Sequence, residues 1–337
     1  MLYIEKNKDI TQFTTINAKA SAQYFAVLKS KEDVFAAISF AQEKKVPIFI
    51  LGGGSNVVFT KKLNALVLKN EIKGIEVLKK TKTKALVKAY SGENWSRFVS
   101  FAVDNGFYGL ENLFLIYGTV GAAPVQNIGA YGVELKDVFV SLIAINLKTG
   151  KEKEFKLLDC KFGYRDSVFK RKLKGKYFIY SVVVSLNLKP SFKLEYGLIK
   201  DKLKEKGIKK PNLKDVIAVI SEIRNNKLPN PYVLPNAGSF FKNPEVSLTI
   251  FNKLKKKNPD IPGYPVNKRV KIPAGWLIER AGFKGKKFGP VRMYENQALI
   301  LTNSGGSVKQ ILALAGRVKG KVKAMFGLDL EEEVNII

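Results

Sequence analysis

The 337-residue chain is 46% hydrophobic, enough for two or three domains with substantial cores, and 58 basic against 29 acidic side chains give it a formal charge of +29. It has no histidine, which excludes imidazole general bases, Ser-His-Asp and Cys-His nucleophile pairs and histidine-ligated zinc. Its single cysteine excludes an internal disulfide and thiolate metal clusters. Chemistry must therefore come from a bound cofactor, from carboxylates, or from Ser, Tyr, Lys and Arg in unusual surroundings, and no metal is expected.

Arginine occurs only eight times and the lysines are scattered along the chain, so the charge reads as a compositional bias rather than a base-reading surface. No nucleic-acid partner is expected, although a basic nucleic-acid-binding protein stands as the rival from another class. The lysine field would still speed the encounter with a phosphate-bearing ligand. No run approaches the roughly 18 apolar residues of a membrane span, and "MLYIEKNKDITQF" carries charges where a signal peptide has its apolar core. A cytoplasmic protein with no membrane partner is expected. Cys160 reads as a buried apolar side chain.

In chain order, "SKED" opens a helix with a capping box, and Val34, Ala37, Ile38 and Ala41 share one of its faces. The short apolar strand of "VPIFILGGGSN" then runs into glycines. Further strands are predicted at 65–70, 84–90, 140–147 and 177–188, the last alternating at Val182, Val184, Leu186 and Leu188, with a helix from Trp95 to Asp104 between them. A charged, proline-bracketed connector spans 189–212. After it come a helix from Asp215 to Asn226 and an irregular crossing, "KLPNPYVLPN". A final helix, about Val308 to Met325, is predicted to bury Val308, Ile311, Leu312, Ala315 and Val322 and to end near Gly327, before a terminal strand "LDLEEEVNII".

Several stretches carry chemistry. Gly52, Gly53, Gly54, Ser55 and Asn56 form a loop whose backbone N–H groups can cradle a pyrophosphate, although an ordinary strand exit has the same composition and the G-x-G-x-x-G spacing is absent. In 109–135, Gly118, Gly121, Ala122, Ala123, Gly129, Ala130 and Gly132 strip away bulk while Gln126 and Asn127 remain. That composition suits backbone lying against a flat hydrogen-bonding ligand such as an isoalloxazine ring, and equally a buried small-residue turn. Arg165 in "CKFGYRDSVFK" is either a structural ion-pair partner or a fork for a carboxylate. "NAGSFFKNP" sets Ser239 between small residues and an aromatic pair. Alternation in "LEEEVNII" puts Glu331 and Glu333 on one face, with a solvated acidic edge as the default reading.

Seven segments, GGGSN, GLENL…GAYGVEL, FGYRDSVFK, NAGSFFKNP, AGWLIE, NQAL and the final acidic strand, occur in an order and spacing that resembles the UDP-N-acetylenolpyruvoylglucosamine reductase family over nearly the whole chain. Tyr196 in "LEYGLI" resembles the family branch in which a tyrosine-bearing loop closes over the substrate. The resemblance implies an α+β fold: an FAD-binding domain of the vanillyl-alcohol-oxidase type in two subdomains, 1–75 and 76–212, and a C-terminal α+β substrate domain, 213–327. The terminal strand 328–337 would return to the first subdomain. Non-covalent FAD, NADPH as reductant, a UDP-sugar substrate and a monomer are implied. The expected FAD contacts are Gly52, Gly53, Gly54, Ser55, Asn56, Gly118, Gly121, Ala122, Gln126, Asn127, Gly129 and Tyr131. Tyr164, Tyr196, Lys227, Asn243, Lys271 and Gln297 would bind substrate, and Arg165, Ser239 and Glu333 would be catalytic. Another FAD oxidoreductase of the same superfamily is the nearest rival.

The chain departs from the family pattern at Gly53, where a side chain is common, at Tyr117, where proline often precedes the glycine, and at Tyr294-Glu295-Asn296, where a histidine is frequent. None of these is in the catalytic trio. Hydride addition to an enolpyruvate leaves an enolate, which is itself a strong base, so a serine can protonate it without an activating histidine.

Overall fold

Helix Lys31–Glu43 begins with a reciprocal cap: Asp33 N–H donates to Ser30 Oγ, and Ser30 N–H donates to the Asp33 carboxylate. The structure, a computed structural model, describes residues 2–196 and 198–337. Residue contacts divide them into two compact units. The first runs to Lys8 and takes Ser21–Gly53 and Leu63–Asn225; the second takes Asp9–Ala20, Gly54–Lys62 and Asn226–Ile337. The chain thus passes from one unit to the other between Gly53 and Gly54.

In the first unit, strands Ser21–Leu28, Leu63–Asn70 and Ile48–Leu51 lie parallel in that order, with Glu5–Asp9 at the edge beside Ser21–Leu28. Helix Lys31–Glu43 is the crossover, and its Val34, Ala37, Ile38 and Ala41 pack with Ala26, Leu28, Leu66 and Leu68. A five-stranded antiparallel sheet has the order Glu152–Lys156, Phe139–Asn146, Tyr177–Asn187, Lys84–Tyr90, Ile75–Lys80. Its Val182, Val184 and Leu186 join a core built around Trp95, Phe98 and Leu110, with Leu188 only partly buried beside it. Trp95 and Phe98 come from helix Trp95–Asp104, which begins and ends at the residues read from its sequence.

Helix Leu213–Lys227 sits at the start of the expected substrate domain, but up to Asn225 it groups with the first unit. Its Val216, Val219, Ile220 and Ile223 pack on Ile199 and Leu203, which come from a short helix, Ile199–Glu205, folded inside the charged connector. The connector therefore supplies the partner that the helix's apolar stripe needs.

The second unit holds a four-stranded sheet in the order Asn236–Ser239, Ile300–Asn303, Val291–Met293, Lys287–Phe288 and a three-stranded one in the order Glu245–Ser247, Arg269–Lys271, Tyr264–Val266. Helix Val308–Phe326 packs Ile311, Leu314, Ala315, Val318 and Val322 into a core shared with Phe240, Phe241, Leu277 and Ile278. Val308 and Leu312, expected to be buried, are only half-buried. Leu314 and Val318 take the central positions because they continue the three- and four-residue spacing from Ile311.

The predicted terminal strand is mostly irregular. Glu332 makes one bridge to Phe241, the chain bends at Glu333 and Val334, and only Asn335–Ile336 forms a strand, parallel to Val57–Val58. Among the described residues no helix is long and apolar enough to cross a membrane, and no cluster of three or more Cys, Asp and Glu is suited to a metal.

The last helix has a full capping box from Ser307 and Gln310. Ser307→Ala should cost about 1 kcal/mol, read as a lower denaturation midpoint with the native far-UV spectrum unchanged.

Candidate active site

The glycine loop and the small-residue segment meet inside the first unit. A Cβ on Gly53 would lie 2.8 Å from Gly118 Cα, one on Gly52 would lie 2.6 Å from Thr119 Oγ1, and one on Gly121 would lie 2.5 Å from Ser91 Cβ. Glycine is therefore required first by the approach of one loop to another, a constraint not visible when each loop is read alone. The resulting cradle is lined by backbone and small groups, with Ala122 exposed and Gly52, Gly53, Gly118, Gln126 and Gly129 half-buried. Such a surface fits a flat, anionic, hydrogen-bonding cofactor.

Asn127 is tied into the fold by three hydrogen bonds. It is fully buried with φ 46°, and its amide donates to Glu134 at 2.9 Å and to the Gly163 carbonyl at 3.1 Å while accepting from Lys136 N–H at 3.0 Å. All of these partners are protein groups. Asn127 thereby fastens the small-residue segment to the loop that carries Tyr164 and Arg165.

Arg165 also has a left-handed backbone, φ 51°. Its Nη2 donates to the Gly129 carbonyl at 2.7 Å, and its guanidinium lies 5.3 Å from the Tyr164 ring centroid. Three site residues with positive φ, Asn127, Tyr131 and Arg165, are a local concentration of backbone strain of the kind that marks functional loops.

Tyr131 (φ 49°) contacts Arg224. Burial raises the Tyr131 phenol pKa and lowers that of Arg224, and the attraction between the two groups opposes both shifts. Arg224 also donates to the Leu115 carbonyl at 3.1 Å, so it ties the 109–118 loop to the Tyr131 turn. Asn112 adds bonds to the Tyr131 and Lys193 carbonyls. Sequence reading missed Arg224 and Asn112. A basic residue on the polar side of a helix and an asparagine in a loop give no local sign that they will be enclosed. Tyr196 is 53% exposed, with its Cβ against Gly132.

In the second unit, Ser239 ends the strand Asn236–Ser239, opposite Ile300, and is half-buried. Gly238 has φ 71° and nothing near its Cβ position, so it is required by its backbone conformation; its N–H donates to Asn236 Oδ1 at 2.9 Å. Phe240 and Phe241 are fully buried and fix the strand from behind. Phe240 O accepts from Glu333 N–H at 2.9 Å, which brings Glu333 beside Phe240, the residue after Ser239. Glu331 and Glu332 are engaged elsewhere, by Lys242 and Lys319 at 2.8 Å each.

Asn56 holds this turn from the other side. Its Nδ2 donates to the Glu333 carbonyl at 3.4 Å, and its own carbonyl accepts from Asn335 N–H at 3.1 Å. Gly54 (φ 67°) leaves no room for a Cβ against Phe13 and Thr14, and Ser55 beside it is half-buried.

Of the expected substrate contacts in this unit, Asn243 Oδ1 accepts from Ala274 N–H at 2.8 Å and so caps helix Ala274–Arg280. Gln297 lies against Gly275, whose Cβ would be 2.8 Å from Gln297 Oε1. Lys271 is half-buried in strand Arg269–Lys271, opposite Glu245 and Tyr264, and Lys227 is exposed at a helix end. Cys160 is fully buried, and burial, helped by Asp159, pushes its thiol up to about 12. It is inert at neutral pH.

Residues 230–337 match the family model described as UDP-N-acetylenolpyruvoylglucosamine reductase, C-terminal domain, and residues 22–156 match that of an FAD binding domain. A UDP-N-acetylenolpyruvoylglucosamine reductase of Pseudomonas aeruginosa is 43% identical over 337 residues, and one of Flavobacterium johnsoniae is 44% identical over 338, each alignment covering 99% of both chains. The chain belongs to the UDP-N-acetylenolpyruvoylglucosamine reductase family. Among solved structures, a UDP-N-acetylenolpyruvylglucosamine reductase from Thermus caldophilus aligns at TM-score 0.68 and 20% identity, over 100% of this chain and 99% of that one, and shares the fold. The α+β architecture expected of the reductase family, an FAD-binding domain followed by a C-terminal domain, is the one found.

In this reductase, Gly53→Ala would force Gly53 and Gly118 apart. Overpacking of this kind costs about 1–3 kcal/mol. FAD titration of the apoprotein by flavin fluorescence should show affinity reduced at least tenfold, while the secondary structure is retained.

Proposed function

We infer that Arg165, Ser239 and Glu333 carry the chemistry of an enzyme that reduces UDP-N-acetylglucosamine enolpyruvate to UDP-N-acetylmuramate for peptidoglycan precursor synthesis. FAD, which the Gly52–Asn56 loop and the Gly118–Gly129 segment would hold, would supply a hydride drawn from NADPH. The chain's own residues must then bind the enolpyruvyl carboxylate, stabilise the charge that spreads onto it, and deliver one proton.

Hydride enters at the CH2 carbon, and the electron pair left on the neighbouring carbon delocalises into the carboxylate as an enolate. The Arg165 fork is suited to that carboxylate, since a guanidinium binds it bidentately and remains charged. Glu333 serves as a hydrogen-bonding partner or in its protonated form. Ser239 Oγ–H gives its proton to the carbon, and a lysine or water restores the hydroxyl. The observation that carries this reading is the bond from Glu333 N–H to Phe240 O. It joins two expected catalytic segments far apart in sequence and leaves Ser239 on a strand backed by two buried rings.

Lys227, Asn243, Lys271 and Gln297 are assigned to the sugar nucleotide, with Asn243 acting in part through the helix it caps. Tyr164 supports Arg165 from its ring face. A monomeric, cytoplasmic enzyme with no nucleic-acid partner is the reading we favour, because NADPH and UDP-sugars are cytoplasmic metabolites and the lysines form many dispersed pairs with carboxylates.

Ser239→Ala should leave flavin reduction by NADPH near its original rate and slow reoxidation by the enolpyruvyl substrate by about 10²–10⁴-fold, as expected for loss of a positioned acid. Stopped-flow absorbance separates the halves, and unchanged reoxidation would move the proton donor elsewhere. Tyr196→Phe should raise the substrate Kd with the NADPH half-reaction intact. An equal fall in both halves would make Tyr196 a packing residue.

A further inference from the structure

Next to the end of strand Leu63–Asn70 stands a cation, Lys69, that no sequence motif singles out. Leu66 and Leu68 pack with helix Lys31–Glu43, so alternation turns Lys69 to the opposite face, with Ala65 and Val67. Parallel pairing sets Lys69 opposite Leu51, the last residue of the neighbouring strand, and the lysine reaches one residue further to donate from Nζ to the Gly52 carbonyl at 2.5 Å. Both strands finish at this point, and the carboxyl ends of parallel strands are where α/β sheets bind ligands.

The ammonium has three donors, and among the described residues the Gly52 carbonyl is its one hydrogen-bond acceptor. Among those residues no carboxylate lies within ion-pair distance of it, whereas Lys88 and Lys31, two other half-buried lysines of this unit, each have one. Burial lowers the Lys69 pKa, with Glu71 pulling the other way and Lys73 adding to the fall. A partly buried cation with one neutral partner is costly to maintain. It becomes favourable when an anion arrives.

We propose that Lys69 is a binding and positioning residue for the diphosphate of the dinucleotide cofactor, anchoring the Gly52 turn by one hydrogen bond and offering its charge and remaining donors to the phosphate oxygens. The proposal rests on FAD occupying the first unit. It assigns phosphate recognition to a strand side chain beside a loop otherwise made of glycine backbone.

The test is titration of the full-length apoprotein with FAD and with riboflavin, which has the same ring and no phosphate, followed by flavin fluorescence. Lys69→Met removes charge and donor, whereas Lys69→Gln keeps a donor for the Gly52 carbonyl without the charge. Both variants should bind FAD roughly 10- to 100-fold more weakly, the range for losing a charge-assisted hydrogen bond, and riboflavin within about threefold of wild type. Lys69→Arg should recover most of the FAD affinity. Equal losses for FAD and riboflavin, or Lys69→Gln binding FAD like wild type, would overturn the proposal and leave Lys69 as a loop anchor. Wild-type protein that fails to bind FAD would overturn the cofactor reading as well, so the two failures are distinct.

Discussion

A single carbon atom decides how the flavin side of this protein is built. Between Gly53 and Gly118 there is no space for a Cβ, so two loops, one ending a parallel strand and one inside the 109–135 segment, can lie backbone against backbone. The dependence continues outward. The 109–135 segment is fixed by Asn127 to the Gly163 carbonyl, and Gly163 begins the turn that gives Arg165 its left-handed backbone and its bond to Gly129. Strain at Arg165 is thus maintained by a fully buried amide, which could not lose any of its three hydrogen bonds cheaply.

The second unit achieves the same precision by another route. Main-chain hydrogen bonds, from Phe240 to Leu299 and from Glu333 to Phe240, hold the backbone at Ser239 and Glu333, with buried rings behind them. Asn56 adds a bond to the Glu333 carbonyl and ties the last residues to the segment after the glycine loop. The pairing of Asn335–Ile336 with Val57–Val58 holds the stretch after Glu333.

Local order was easy to read from the sequence. The Ser30–Asp33 cap, the limits of Trp95–Asp104 and the alternation of Tyr177–Asn187 depend on neighbours a few residues away, and they were found as expected. Features that depend on distant partners were not legible. Val308 and Leu312 were chosen by helical spacing, yet the face that the core covers includes Leu314 and Val318. Helix Leu213–Lys227 looked like the start of a new domain because its partner, Ile199–Glu205, was hidden in a lysine-rich connector. The hydrogen bonds that fix Asn127 were not visible in its glycine-rich surroundings, because the groups that engage it lie up to 36 residues away. The candidate site was legible as residue types in family order; the hydrogen-bond partners of those residues were not, because they lie far away in sequence.

The enclosed thiol of Cys160 has a practical consequence. With its ionisation pushed up to about 12 and no solvent access, it will not react with maleimides or iodoacetamide under conditions that label exposed cysteines. A cysteine introduced anywhere on the surface would be the one reactive sulfur in the protein, with no native residue to delete beforehand. A fluorophore or spin label placed there would then report on that one position, in a protein otherwise unaltered.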